Sequence, residues 1–181
     1  MREMRDSDLD AFAAISADPE VMRWLGGEVA TRAQAWRQMA TIAGHWDLRG
    51  FGRWVLELRD GGQVVGNAGL WYPEGWPAIE VGWTLGRPHW GSGYATEAAR
   101  AAIGWARDEL GLERIVSLIR PDNESSQAVA RRLGMTASAE RFEHMGDTLV
   151  VWERSTDYDV GGGPGGGGGG GGGPGGAGGG A

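Results

Sequence analysis

With 181 residues, a formal charge of −7 and seventeen basic residues that are all arginine, the chain contains neither lysine nor cysteine. Without lysine there is no Walker A lysine, no kinase strand lysine and no Schiff base to pyridoxal phosphate; without cysteine there is no thiol nucleophile, disulfide or thiolate metal site. The acidic balance argues against a nucleic-acid surface and leans toward a cationic partner such as an amine. The three histidines (His45, His89, His144) lack metal-ligand spacing, so no metal is expected.

The opening "MREMRDSDLD" is charged, and no apolar run approaches the roughly 20 residues of a membrane span, so the expected setting is cytoplasmic and away from membranes. "MREMR" reads as the end of a first strand. In "SDLDAFAAISAD", Leu9, Phe12, Ala13 and Ser16 share one helical face, with Ser7 as the expected N-cap. Asp18-Pro19 starts a short second helix around Val21, Met22 and Leu25, closed by Gly26. Thr31 and Gln34 form a capping box ahead of Ala35, Trp36, Met39, Ile42 and Ala43, which predicts a third helix to about residue 47.

From Arg53 the period changes to that of strands. "RWVLELRDGGQVVGNAGLW" is two extended runs joined at Asp60-Gly61-Gly62, a hairpin signal, and "AIEVGWTL" (residues 78–85) is a third strand. A glycine-rich turn, "GRPHWGSGYATEA", leads into a helix from about residue 95 to 110 that Gly111 stops. "RIVSLIR" is an apolar strand, Pro121-Asp122-Asn123 a turn, and "ESSQAVARRL" a helix stopped by Gly134. Two strands follow near residues 135–142 and 148–153. The expected fold is α+β, a mixed sheet with helices on both faces, over residues 1–156. The remainder, 157–181, ends in a stretch of Gly, Pro and Ala alone (161–181), which is expected to be a free coil.

A glycine-rich turn that opens a helix commonly holds phosphate, because the first N–H groups of a helix lack intrahelical partners and the dipole adds positive potential. A dinucleotide site does not fit: Gly91-Ser92-Gly93-Tyr94-Ala95-Thr96 puts threonine where a small residue belongs, and Arg120-Pro121 stands where an acidic residue is needed. A purely structural turn is the other reading, since glycine also serves positive φ by itself.

Taken together, "IEVGWTL", "WGSGYATEA", "LGLERI", "PDNESS" and "LGM" resemble, in order and spacing, the GNAT acetyltransferase superfamily, in particular its RimJ and RimL type. The opening "RDSDLDAFAAISADPEVMRWLG" and Phe142-Glu143-His144 are similar to that group as well, so the resemblance spans roughly residues 5–153. It implies a mostly antiparallel sheet with a splayed central strand pair, acetyl-CoA as acyl donor, and direct transfer of acetyl to a primary amine. The amine belongs to a small molecule or a protein N-terminus, and the enzyme is a monomer or homodimer.

By that resemblance Trp90, Gly91, Ser92, Gly93, Tyr94, Ala95 and Thr96 wrap the CoA pyrophosphate with backbone N–H groups, with help from Arg87. Trp90 replaces the Gln or Arg of many members, although tryptophan is usual in the RimJ and RimL type. Trp83, Thr84 and Leu85 expose backbone to the pantetheine amides, like an added strand, and supply an N–H to the reaction's oxyanion. Asn123 holds the pantetheine arm and Ser126 sits near the sulfur as a proton donor; on local grounds alone, Asn123 equally caps the following helix. Candidates for the general base are Glu80, Glu143 and His144, each with a solvent-facing alternative. Trp24, Trp71 and Trp76 wall the acceptor side or simply pack in the core. An acyl-CoA-binding regulatory domain without turnover is the alternative function.

Overall fold

The computed structural model describes residues 1–157, so the expectation of a free glycine-rich coil falls outside the described residues. Helices α1 (Leu9–Ser16), α2 (Pro19–Met22) and α3 (Arg32–Arg49) come first, followed by strands β1 (Arg53–Glu57), β2 (Val64–Trp71) and β3 (Glu80–Leu85). Then come helix α4 (Tyr94–Leu110), strand β4 (Arg114–Ile119), helix α5 (Glu124–Arg132) and strands β5 (Thr136–His144) and β6 (Asp147–Ser155). The six strands form one sheet in the order β1-β2-β3-β4-β6-β5. Every neighbouring pair is antiparallel except β3 and β4, which run parallel and meet at a single register pair, Glu80 with Val116. There the Val116 N–H donates to the Ile79 carbonyl at 3.1 Å, and the two strands then part. This is the expected α+β sheet, mostly antiparallel, with a splayed central pair.

Local signals explain most elements. Gly61 (φ 82°) and Gly62 (φ 65°) turn the β1–β2 hairpin, because two successive positive φ values match the twist of the flanking strands. The Thr31–Gln34 capping box forms, but α3 continues to Arg49, where Gly50 at φ 75° ends it. Met145 (φ 52°) and Gly146 (φ 85°) make a tight turn that extends β5 and β6 beyond the expected 142 and 148.

Alternation in β3 sends Val81 and Leu85 into the layer beneath α4, whose small buried side chains, Ala95, Ala98, Ala99, Ala102 and Ala106, let the helix lie close against the sheet. Leu70, Ile115 and Leu133 are fully buried in the same layer. Edge-to-face contacts among Trp46, Trp54 and Trp105, with ring centroids 5.0–6.1 Å apart, close it at the β1 edge. On the opposite face α1 packs on β2 and against α3.

Two expectations at the chain start need correction. "MREMR" makes only an isolated bridge between Arg2 and Val55, and Ser7 does not cap α1. A 3₁₀ turn, Asp6–Asp8, precedes the helix, and the buried Asp8 carboxylate accepts the Arg5 N–H at 2.8 Å and the Arg2 guanidinium at 2.7 and 2.8 Å. Arg2 reaches on to Glu57 at 2.7 Å, tying this turn to β1. Asp8 stands at the N-cap position of α1 without capping it, because its carboxylate is turned back to Arg2 and the Arg5 N–H.

Buried His45 on α3 is a structural residue. Its Nδ1 lies 2.7 Å from the Phe51 carbonyl and must carry the proton, since a carbonyl only accepts; its Nε2 accepts the Tyr72 N–H at 2.9 Å. Desolvation pushes its pKa below the ordinary 6.5, despite the two backbone hydrogen bonds. A histidine held neutral in the fold contributes fully above about pH 6.5, and the contribution is lost as pH falls from there toward the depressed folded value. His45→Leu should therefore cost about 1–3 kcal/mol for each backbone group left unpaired. Urea unfolding near pH 7.5 and pH 5 should show wild type losing stability on acidification across that window and the variant losing less.

Candidate active site

Because β3 and β4 part after Glu80, the sheet is open at its centre, and a cleft of about 1080 Å³ runs through the opening. The N-terminus of α4 and that of α5 both border it. On the α4 side, Gly91 (φ 76°) and Gly93 (φ 86°) adopt left-handed backbone, and Gly93 is the N-cap of α4 with no side chain to cap it. A Cβ at either glycine would meet no atom within 4 Å, so both face open space. The result is a recess lined by backbone at a helix N-terminus, which suits an anion such as a diphosphate.

Trp90 donates its indole N–H to the Leu85 carbonyl at 2.8 Å, fastening this loop to the end of β3. Arg87 turns away from the cleft to pair with Asp18 at 3.2 Å, and so secures the loop to the start of α2. Trp83, Thr84, Leu85, Trp90, Gly91, Gly93, Ala95 and Thr96 line the cleft; Arg87, Ser92 and Tyr94 do not. Tyr94 packs instead against the cluster of Leu56, Leu85 and Ala98. Periodicity cannot foresee such outcomes, since they depend on which neighbour lies beneath each loop side chain.

At the start of α5 the Asn123 side chain accepts the Ser126 N–H at 3.1 Å and the Ser125 hydroxyl at 2.9 Å. Asn123 therefore caps the helix, and it also lines the cleft together with Ser126. Its Oδ1 is occupied by the cap, while its amide N–H₂ is a separate pair of donors.

The other half of the cleft is aromatic. Glu80 is buried, not solvent-facing, and its Oε2 accepts the Trp76 indole N–H at 2.8 Å. Trp76 also meets the rings of His144 (4.7 Å) and Phe142 (5.4 Å). Trp71 stacks on His45 at 4.4 Å, and Trp24, Trp71 and Trp76 all line the cleft, as do Glu80 and His144. Glu143 does not: it points along the β5–β6 hairpin, where its carboxylate accepts the Thr148 hydroxyl at 2.7 Å. Strand alternation separates it from His144, so neighbours in sequence lie on opposite faces.

Several cleft residues escaped the sequence reading, among them Arg53 on β1 and Asn67 on β2. The available signal was positional. Both belong to the alternate set of their strands that faces away from α4, but this is legible only once strand pairing is known. Among the described residues no group of three or more His, Asp or Glu is placed to hold a metal ion, and no helix is long and apolar enough to cross a membrane.

This architecture, a sheet split at a parallel pair with a glycine-lined helix N-terminus at the split, has known counterparts. Residues 1–136 match the family model described as an acetyltransferase (GNAT) domain, and the chain belongs to the GNAT acetyltransferase family. The uncharacterized protein YkkB of Bacillus subtilis (strain 168) is 30% identical over 166 residues, covering 86% of this chain and 91% of the relative. The uncharacterized N-acetyltransferase YoaA of the same organism is 26% identical over 162 residues, 88% of either chain. Among solved structures, an acetyltransferase from Agrobacterium tumefaciens str. C58 superimposes with a TM-score of 0.75 at 30% identity, covering 84% of this chain and 88% of that one.

Proposed function

We propose that this protein transfers the acetyl group of acetyl-CoA to a primary amine of a small molecule or a protein N-terminus. One observation carries the reading: a single cleft joins the open backbone of β3, the bare glycine recess at α4, Ser126 at α5 and the buried carboxylate of Glu80. Bound acetyl-CoA supplies a thioester carbonyl whose C–S bond is exchanged for a C–N bond to the amine.

The chain's own residues divide the remaining work. Backbone N–H groups around Gly91, Gly93, Ala95 and Thr96 hold the diphosphate, with the α4 dipole behind them. Backbone of β3 from Trp83 to Leu85, unpaired on its β4 side, takes the amides of the pantetheine arm in the manner of an added strand. The Asn123 amide N–H₂ gives that arm a further donor. Glu80, with Oε2 fixed by Trp76, uses Oε1 to take a proton from the incoming ammonium, directly or through water. Ser126 Oγ gives a proton at the sulfur, and no covalent enzyme intermediate is needed. His144 stands beside Trp76 at the acceptor mouth and is the second candidate for the base. The tryptophans Trp24, Trp71 and Trp76 form an acceptor wall that suits an apolar or cationic group. We assign the chain to the RimJ and RimL type, with residues 1–156 as the acetyltransferase domain and a cytoplasmic setting.

Calorimetric titration with acetyl-CoA tests the binding half of this reading without knowledge of the acceptor. Gly93→Val forces a β-branched residue to positive φ, at a cost of about 1–3 kcal/mol in stability, and fills the recess. Binding should be lost while the far-UV spectrum of the folded chain is kept; retained affinity would remove the recess from the cofactor site. For the chemical half, thiol release against a panel of amines should fall by roughly 100-fold or more in Glu80→Gln, with acetyl-CoA affinity unchanged. Ser126→Ala should lower turnover more than affinity. Binding without release for any amine would support a regulatory acyl-CoA-binding domain instead.

A further inference from the structure

Arg53, Gly69 and Gly82 stand in one row across three strands, Arg53 opposite Gly69 and Gly69 opposite Gly82. Two glycines in such a row leave the sheet surface bare, and the long arginine side chain lies over it. A Cβ placed on Gly82 would collide with Arg53 Nη2 and lie 3.5 Å from Glu80 Oε1. The guanidinium therefore occupies the slot that a side chain at position 82 would fill, on the cleft face of β3 and next to Glu80.

A guanidinium carries five N–H donors. Arg53 is half-buried, and its one hydrogen bond among the described residues is a long contact of 3.5 Å from Nη1 to Asn67 Oδ1; its Nε is sealed from solvent without a partner. Glu80 acts on it through its charge, not by a hydrogen bond, and the Trp71 ring lies 5.6 Å away. Burial pushes the guanidinium's pKa down, with Glu80 opposing. A half-buried guanidinium that lines the cleft, with its Nε shut off from solvent and unpaired, is placed to meet an anion there.

Building on the acetyl-transfer reading, we propose that Arg53 receives a carboxylate of the acceptor, so that the acceptor is an amino acid or a close analogue carrying amine and carboxylate together. Arg53 offers a planar fork that matches a carboxylate with two parallel hydrogen bonds. Glu80, beside it, faces the ammonium of the same molecule, and the two opposite charges of the protein complement the two of the ligand. The Trp71 and Trp76 rings then border the amino acid's side chain. A polyamine lacks the anion and brings a second cation toward Arg53, and a peptide N-terminus has an amide where the carboxylate is required.

The test uses the full chain, saturating acetyl-CoA and matched acceptors: each common amino acid, its C-terminal amide and its decarboxylated amine, compared by thiol release. At least one amino acid should exceed both of its derivatives in kcat/KM by roughly tenfold or more. Arg53→Gln should bring that ratio close to one, chiefly through KM, while calorimetry shows acetyl-CoA affinity unchanged. Gly82→Ala, which places a methyl in the guanidinium's slot, should lower the same ratio with Arg53 still present. Equal or better use of the amides or amines, a preference that survives Arg53→Gln, or a wild type that binds acetyl-CoA and turns over no amino acid would each overturn the inference. Failure of wild type to bind acetyl-CoA would instead remove the acetyl-transfer reading on which the inference rests.

Discussion

The single register pair between Glu80 and Val116 is the constraint on which the rest of the molecule depends. Interior strands normally satisfy their backbone groups on both sides, and a parallel pair that stops after one position leaves two rows of donors and acceptors inside the sheet. Such a gap persists only if the surrounding layers hold the strands apart and the exposed groups find water or a ligand. Here β2 anchors β3 along its whole length, from Gly66 with Leu85 to Trp71 with Glu80, while β6 anchors β4 from Arg114 to Ile119. Each half of the sheet is continuously paired by itself, and the opening is the seam between them.

The helices that follow the two parting strands begin at that seam. The loop after β3 reaches α4 through Gly91 and Gly93 and is pinned by the Trp90 hydrogen bond; the turn after β4 reaches α5 through the Asn123 cap. Two helix N-termini therefore border one cleft, and their dipoles add positive potential in a chain whose formal charge is −7. Acidic character overall and positive potential at the two helix N-termini are compatible because that potential comes from backbone N–H groups and helix dipoles.

The opposite wall is supplied by α1 to α3 and the ends of β1 and β2, and it is held by polar contacts as much as by apolar ones. The buried Asp8 carboxylate gathers Arg2 and the Arg5 N–H, with Arg2's hydrogen bonds holding its pKa below the ordinary 3.8. Neutral His45 joins the Phe51 and Tyr72 backbones on either side of the β1–β2 hairpin while its ring stacks on Trp71. These interactions fix the Trp71 ring and the Arg53 strand at the cleft, so buried polar contacts outside it set the shape of this half.

How much of this was legible beforehand follows from the range of the interactions involved. The double-glycine hairpin, the glycine turn, the Thr31–Gln34 cap and, from α1 onward, the order of elements are local properties that the sequence by itself determined, whereas the Ser7 cap and the first strand gave way to contacts of Arg2 across the fold. The α+β class with a split sheet also followed, through the family resemblance that those local signals carry. Only the tertiary structure decided that Glu80 is buried against Trp76, that Glu143 faces Thr148 and not the cleft, that Arg87 turns to Asp18, and that the Arg53 guanidinium lies over Gly82. Each of these depends on strand register or on a loop's neighbour across the fold, and a shift of one residue in pairing would send the same side chain to the other face.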